Sequence, residues 1–127
     1  MRVDKMVTAA VAALEDIKGR DIVVLDVRRL TALFDRLVVA SGDSTRQNKA
    51  LANNVQEKLK ALGATIHGVE GVDNGEWILV DLGAVVVHIM QPAIRHYYNL
   101  EELWGKAPLP LRRAAGPRPR MGPAAPA

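Results

Sequence analysis

The sequence predicts an α+β fold, with one mixed β-sheet of about five strands and flanking helices. Three observations predict it. Two apolar runs, Trp77–Leu82 and Val85–Met90, flank Gly83-Ala84, and a Gly-X pair between strand-like runs is the signature of a type II′ hairpin. Two stretches, near residues 4–18 and 44–62, carry apolar residues at three- and four-residue spacing and read as amphipathic helices. The second stands between strand-like runs and, with a short strand near Thr65–Val69, forms a β–helix–β unit that should cross over right-handedly.

Taken in order, Asp4 caps a first helix running to about Lys18. Its apolar positions are Val7, Ala10, Val11, Leu14 and Ile17, and Gly19 is its stop. Asp21–Val27 reads as a mostly buried strand and Phe34–Ala40 as a second, with a short link that favours antiparallel pairing. Ser41-Gly42-Asp43-Ser44-Thr45 makes a strand-to-helix turn, with Ser44 or Asp43 as N-cap. The following helix reaches about Leu62 and stops at Gly63, with Ala50, Leu51, Val55, Leu59 and Leu62 as its apolar stripe. A short strand falls near Thr65–Val69. After the hairpin, Pro92 begins a helix over Ala93–Leu103, followed by Trp104 as a core-closing residue.

The hairpin divides its residues between two faces. Leu82 with Val85, Val80 with Val87 and Ile78 with Ile89 form a wholly aliphatic face that must be core. Asp81 with Val86, Leu79 with His88 and Trp77 with Met90 form the other. A mixed face of this kind suits a surface buried part of the time by a partner. The competing reading is a core edge with tolerated polar residues.

At 127 residues the chain is one domain, able to bury a single core. Zero cysteines exclude a disulfide framework, a thiolate metal site and a Cys nucleophile. No apolar stretch approaches the roughly 18 residues needed to span a bilayer, and the N-terminal Met1-Arg2-Val3-Asp4-Lys5 reads as neither a secretory signal nor a transit peptide. The net charge of +3 is unevenly placed. Arg112, Arg113, Arg118 and Arg120 lie in the Pro/Ala-rich stretch from Ala107 onward, which has no acidic residue; removing those 4 from the 17 basic residues leaves 13 against 14 acidic. The body is thus close to neutral, unlike a nucleic-acid binder with a basic folded surface. Between Lys60 and Arg95 there is no Lys or Arg, while Glu70, Asp73, Glu76 and Asp81 all fall there. Charge complementarity predicts a basic partner for that segment. The tail, residues 106–127, is expected to be disordered, leaving residues 1–105 as the domain.

Catalytic chemistry has little to build on. The Gly42–Thr45 turn resembles an anion-binding helix start, but it lacks phosphate-loop spacing and Asp43 would repel a phosphate. A nucleotide-handling enzyme using this turn is the rival reading from another class. His67, His88 and His96 are too scattered for a zinc signature. Asp26 and Asp81 would have to meet on neighbouring strands to act together. His88 reads most simply as hydrogen-bonded within the sheet.

The run Phe34-Asp35-Arg36-Leu37-Val38-Val39-Ala40-Ser41-Gly42-Asp43-Ser44-Thr45-Arg46, the Gly68-Val69-Glu70-Gly71 box, Trp77–Gly83, Val85-Val86-Val87-His88 and Tyr98-Asn99-Leu100-Glu101-Glu102-Leu103-Trp104 resemble the Iojap-related ribosomal silencing factors (RsfS). The resemblance covers roughly residues 4–105. It implies a nucleotidyltransferase-like topology without catalysis or cofactor, in a cytoplasmic translation regulator. Such a factor binds large-subunit ribosomal protein fourteen and sterically blocks subunit joining. Organellar relatives also act in large-subunit maturation, and homodimers occur in the family. Trp77 and Asp81 match the family boxes directly and are the leading partner contacts; Glu70, Leu79, His88, Met90, Arg95 and Tyr98 follow. Two departures stand out: Ala84 where relatives commonly have Asp, and Pro92-Ala93 where they often have an acidic residue. The Arg-bearing tail is either passive or a weak ribosomal RNA contact. A further alternative is that the mixed hairpin face makes only a homodimer.

Overall fold

The computed structural model describes residues 1–104; the tail expectation, and the last residue of the expected domain, lie outside them. Five strands form one sheet in the order β1-β2-β5-β4-β3: β1 Arg20–Asp26, β2 Arg36–Ser41, β3 Gly68–Glu70, β4 Trp77–Asp81 and β5 Val85–Met90. β1 runs antiparallel to β2, and β4 antiparallel to both β5 and β3, while β2 and β5 are parallel. The sheet is therefore mixed, as expected. The β-helix-β unit does not pair with itself: β3 lies at the far edge, with the β4–β5 hairpin filling the space between it and β2.

Helices α1 (Val3–Asp16) and α2 (Thr45–Ala61) cover one sheet face. Met6, Ala10, Ala13 and Leu14 of α1, with Leu51, Ala52, Val55 and Leu59 of α2, meet Val24, Val38, Ile78, Val80, Val85, Val87 and Ile89 in one buried cluster. Burying each large aliphatic side chain there contributes roughly 1.5–3 kcal/mol. The two helices are also tied by Asn54 Nδ2 donating to the Ala13 carbonyl at 2.8 Å. Gln47 joins α2 to the end of α1 through the Ile17 carbonyl at 3.0 Å.

Several boundaries differ from expectation for local reasons. Arg2 holds the α1 N-cap position without a side-chain bond. Asp4 sits in the first turn instead, favourably placed for the helix dipole, with its carboxylate 3.6 Å from Arg36. At the other end Lys18, not Gly19, takes the left-handed conformation, at φ 65°. Ser44 is the α2 cap, accepting from Gln47 N at 3.0 Å, and Gly63 ends that helix at φ +93° as expected. Ala50 and Leu62 point outward, and Ala52 and Asn48 take the inward positions.

The C-terminal helix is two pieces, α3 (Pro92–Tyr98) and α4 (Leu100–Trp104), broken at Asn99 with φ 51°. Asn tolerates that conformation. The break turns Leu100 and Trp104 onto the second sheet face, where they join Leu25, Val27, Leu37, Val39, Val86 and Met90. Trp104 stacks at an angle on Phe34, ring centroids 5.7 Å apart, in the core-closing role expected of it.

Candidate docking face

The hairpin register is the one the turn predicts: Trp77 opposite Met90, Leu79 opposite His88 and Asp81 opposite Val86. Gly83 takes φ +90°, which the turn requires. Because directly opposed residues share a face, pairing of Glu70 with Leu79 and of His88 with Val39 extends one row, Glu70–Leu79–His88–Val39, across four strands. This is the face that α3 and α4 cover only in part.

Trp77 is half-buried at the start of β4. Its indole Nε1 donates to His88 Nδ1 at 2.8 Å, which confirms His88 as hydrogen-bonded within the sheet and leaves the imidazole proton on Nε2. Burial lowers the His88 pKa to about 4, so the ring is neutral near pH 7. An imidazolium would place an N–H against the indole N–H. Tyr98 lies over Trp77 with ring centroids 4.8 Å apart, and Tyr97 meets Tyr98 edge-on at 5.0 Å. Tyr98 is half exposed and Tyr97 is 79% exposed, so the aromatic cluster opens to solvent.

Carboxylates surround this cluster in the chain: Glu70, Asp73 and Glu76 are exposed and Asp81 is half-buried, its Oδ1 accepting from Gly83 N at 2.8 Å. Leu79 is half-buried between Glu70 and His88 in the same row.

Two of the eight sequence candidates lie in the interior instead. Met90 is fully buried among the apolar residues of the second face. Arg95 is 7% exposed. Its guanidinium donates to Glu101 at 3.0 and 2.7 Å and to Ser41 Oγ at 2.9 Å, fastening α3 to α4 and to β2. Strand alternation assigned Met90 to the right face but could not show that α3 and α4 seal that end of it. Sequence reasoning passed over Tyr97 as a contact, because an unbroken helix would have placed it with the apolar residues; the break at Asn99 resets the facing.

The polar groups of the Gly42–Thr45 turn serve the fold. Ser44 caps α2, Asp43 N donates to Gln47 Oε1 at 2.7 Å, and the Asp43 carboxylate pairs with Arg20. Asp26 and Asp81 do not meet, since β2 and β5 separate their strands. The Asp26 carboxylate is held at a pKa of about 2, chiefly by the side-chain hydrogen bond from Arg28, with Arg36 adding to the attraction. Among the described residues no group of three His, Cys, Asp or Glu side chains could hold a metal, and no helix is long and apolar enough to cross a membrane.

A family model described as "ribosomal silencing factor during starvation" matches residues 1–124. A ribosomal silencing factor from Chromobacterium violaceum is 58% identical over 105 residues, covering 83% of this chain and 86% of the relative. One from Bacillus subtilis is 40% identical, covering 79% and 85%. A crystal structure of a C. violaceum protein superposes with a TM-score of 0.82 at 53% identity, covering 91% of this chain and 97% of that one. More distant matches are a mouse protein named for mitochondrial assembly of the large ribosomal subunit, 35% identical, and a maize chloroplast Iojap protein, 37% identical. Fold and sequence thus place the chain in the Iojap-related class of ribosome-associated regulatory factors. Within it, the chain belongs to the ribosomal silencing factor (RsfS) family.

Proposed function

We propose that the chain silences translation in the cytoplasm by docking large-subunit ribosomal protein fourteen on the open half of its second sheet face and blocking subunit joining by bulk. The partner and the step are those implied by the family resemblance. The observation that carries the physical part is the half-covered Trp77–His88 pair, overlaid by Tyr98, in a segment between Lys60 and Arg95 that itself holds four carboxylates and no Lys or Arg. Trp and Tyr bury much area at little entropy cost and dominate interface energetics. Exposed carboxylates steer a cationic surface toward them. Since Ala84 adds no charge at the turn, Glu70, Asp73, Glu76 and Asp81 supply the acidic component. On this reading the mechanism is steric exclusion, with no cofactor and no catalytic step.

Sedimentation with separated subunits tests it. The protein should pellet with the large subunit alone, and prebound protein should keep an added small subunit from joining. Pelleting with the small subunit alone would contradict the proposal. A dimer that holds together while the ribosomal protein binds elsewhere would instead assign the face to a second copy of the chain.

A further inference from the structure

Asn48 is the polar member of the buried stripe of α2, among Leu51, Ala52, Val55 and Leu59. It is fully buried, yet only half of its amide is satisfied. Nδ2 donates to the Gly75 carbonyl at 2.8 Å, while Oδ1 is buried without a hydrogen-bond partner. That oxygen faces Gly42, where an added Cβ would stand 2.1 Å from it. The orphaned oxygen costs its desolvation, while the other half of the amide satisfies the buried Gly75 carbonyl. What an apolar residue would lose is the donor to Gly75.

Gly75 belongs to the loop that delivers the chain into Trp77. It is buried at φ +80°, and a Cβ there would stand 2.9 Å from Thr45 Cβ and 3.0 Å from Lys49 Cε. The loop closes on itself through Gly75 N donating to the Gly71 carbonyl at 2.8 Å and Glu76 N donating to Asn74 Oδ1 at 3.0 Å. Its far side is seated on the Trp77 backbone, since a Cβ on Gly71 would meet the Trp77 carbonyl oxygen at 2.1 Å. Gln91 N donates to the Glu76 carbonyl at 3.0 Å, continuing the β4–β5 ladder. The Asn48 side chain therefore fastens a compact loop, carrying Asp73 and Glu76, to a rigid helix.

We propose that Asn48 is a positioning residue for the docking face: by holding Gly75 it fixes the acidic 71–76 loop and the entry of Trp77 into β4. The inference rests on the reading that this face docks the ribosomal protein. It predicts that function and stability separate at this position. Asn48→Leu keeps the branching of the side chain and removes both the donor and the orphan acceptor. Its urea midpoint should stay close to that of wild type, removal of the orphan oxygen offsetting the donor lost by the Gly75 carbonyl, while amide exchange quickens across residues 71–77 and affinity for isolated ribosomal protein fourteen falls roughly tenfold. Wild-type protection of the loop in Asn48→Leu would overturn the inference. So would a loosened loop with wild-type affinity, provided Trp77→Ala binds weakly in the same assay. If Trp77→Ala binds as wild type, it is the docking reading that fails, and loop exchange alone then decides whether Asn48 holds the loop. Should Asn48→Leu not fold, Gly75→Ala loosens the same loop from the other side with Asn48 intact; it should show the same faster exchange and weaker binding, and undiminished affinity there would refute the role.

Discussion

Alternate residues of the same strands make the two faces of this sheet, and the faces end up differently covered. On one, Ile78, Val80, Val85, Val87 and Ile89 are sealed beneath α1 and α2, which have 14 and 17 residues. On the other, the covering helices have 7 and 5 residues. At 1.5 Å per residue, α2 reaches about 25 Å and α3 about 10 Å. The short pair seals Leu37, Val39 and Met90 but leaves Trp77, Leu79, Asp81 and His88 half-covered. The difference teaches that a face can be left partly open by shortening its helices, without changing the strands. The hairpin strands then record the division in their side chains, with Ile78, Val80, Val85, Val87 and Ile89 alone facing the long helices.

Substitutions can break this comparison or sharpen it. The largest expected effect is on the sealed face: Ile89→Ala should cost about 3–4 kcal/mol in urea unfolding, by loss of burial and creation of a cavity. The folded fraction should still bind the ribosomal protein normally. On the open face Trp77→Ala should reverse the pattern, weakening binding by about 2 kcal/mol, roughly 30-fold; equal affinity in titration calorimetry would erase the functional distinction between the faces.

Acid should also separate them. His88 has a folded pKa of about 4, below its ordinary 6.5. Stability from the neutral ring is complete above 6.5 and is lost as the pH falls toward 4, because only the unfolded chain takes up the proton in that window. In the first pH unit below 6.5, wild type should lose roughly 1 kcal/mol more than His88→Gln, measured by denaturant titration at each pH. The smallest effect belongs to Ser44→Ala, about 1 kcal/mol through the lost cap of α2, with binding unchanged.

Much of this was legible in the residues. The Gly83-Ala84 turn and the period-two pattern on either side of it set the hairpin register, because a slip of one residue would have exchanged the faces. Ser44 and Gly63 marked the ends of α2 by their own backbone chemistry. The strand order was not legible: β2 pairs with β5 between residues 49 apart in sequence, as Arg36 with Val85, and no local pattern reports such a contact. Nor was the break at Asn99, since Tyr97, Tyr98, Leu100 and Leu103 continue an apolar helical pattern through it. That break brings Glu101 of α4 back onto Arg95, and Leu100 and Trp104 onto the cluster that holds Met90. The half-satisfied Asn48 was equally hidden, because its partners Gly42 and Gly75 meet only in the folded chain.

The sheet order has a last consequence for how the molecule comes into being. Among the described residues β5 is the last strand in sequence, and it lies at the centre of the sheet between β2 and β4. A chain emerging from its own synthesis can form the β1–β2 ribbon early, but the two halves of the sheet cannot be joined by strand pairing until Val85–Met90 slots between them. Fragments ending before Val85 should therefore have no stable folded state, and maturation should wait on the arrival of this one central piece.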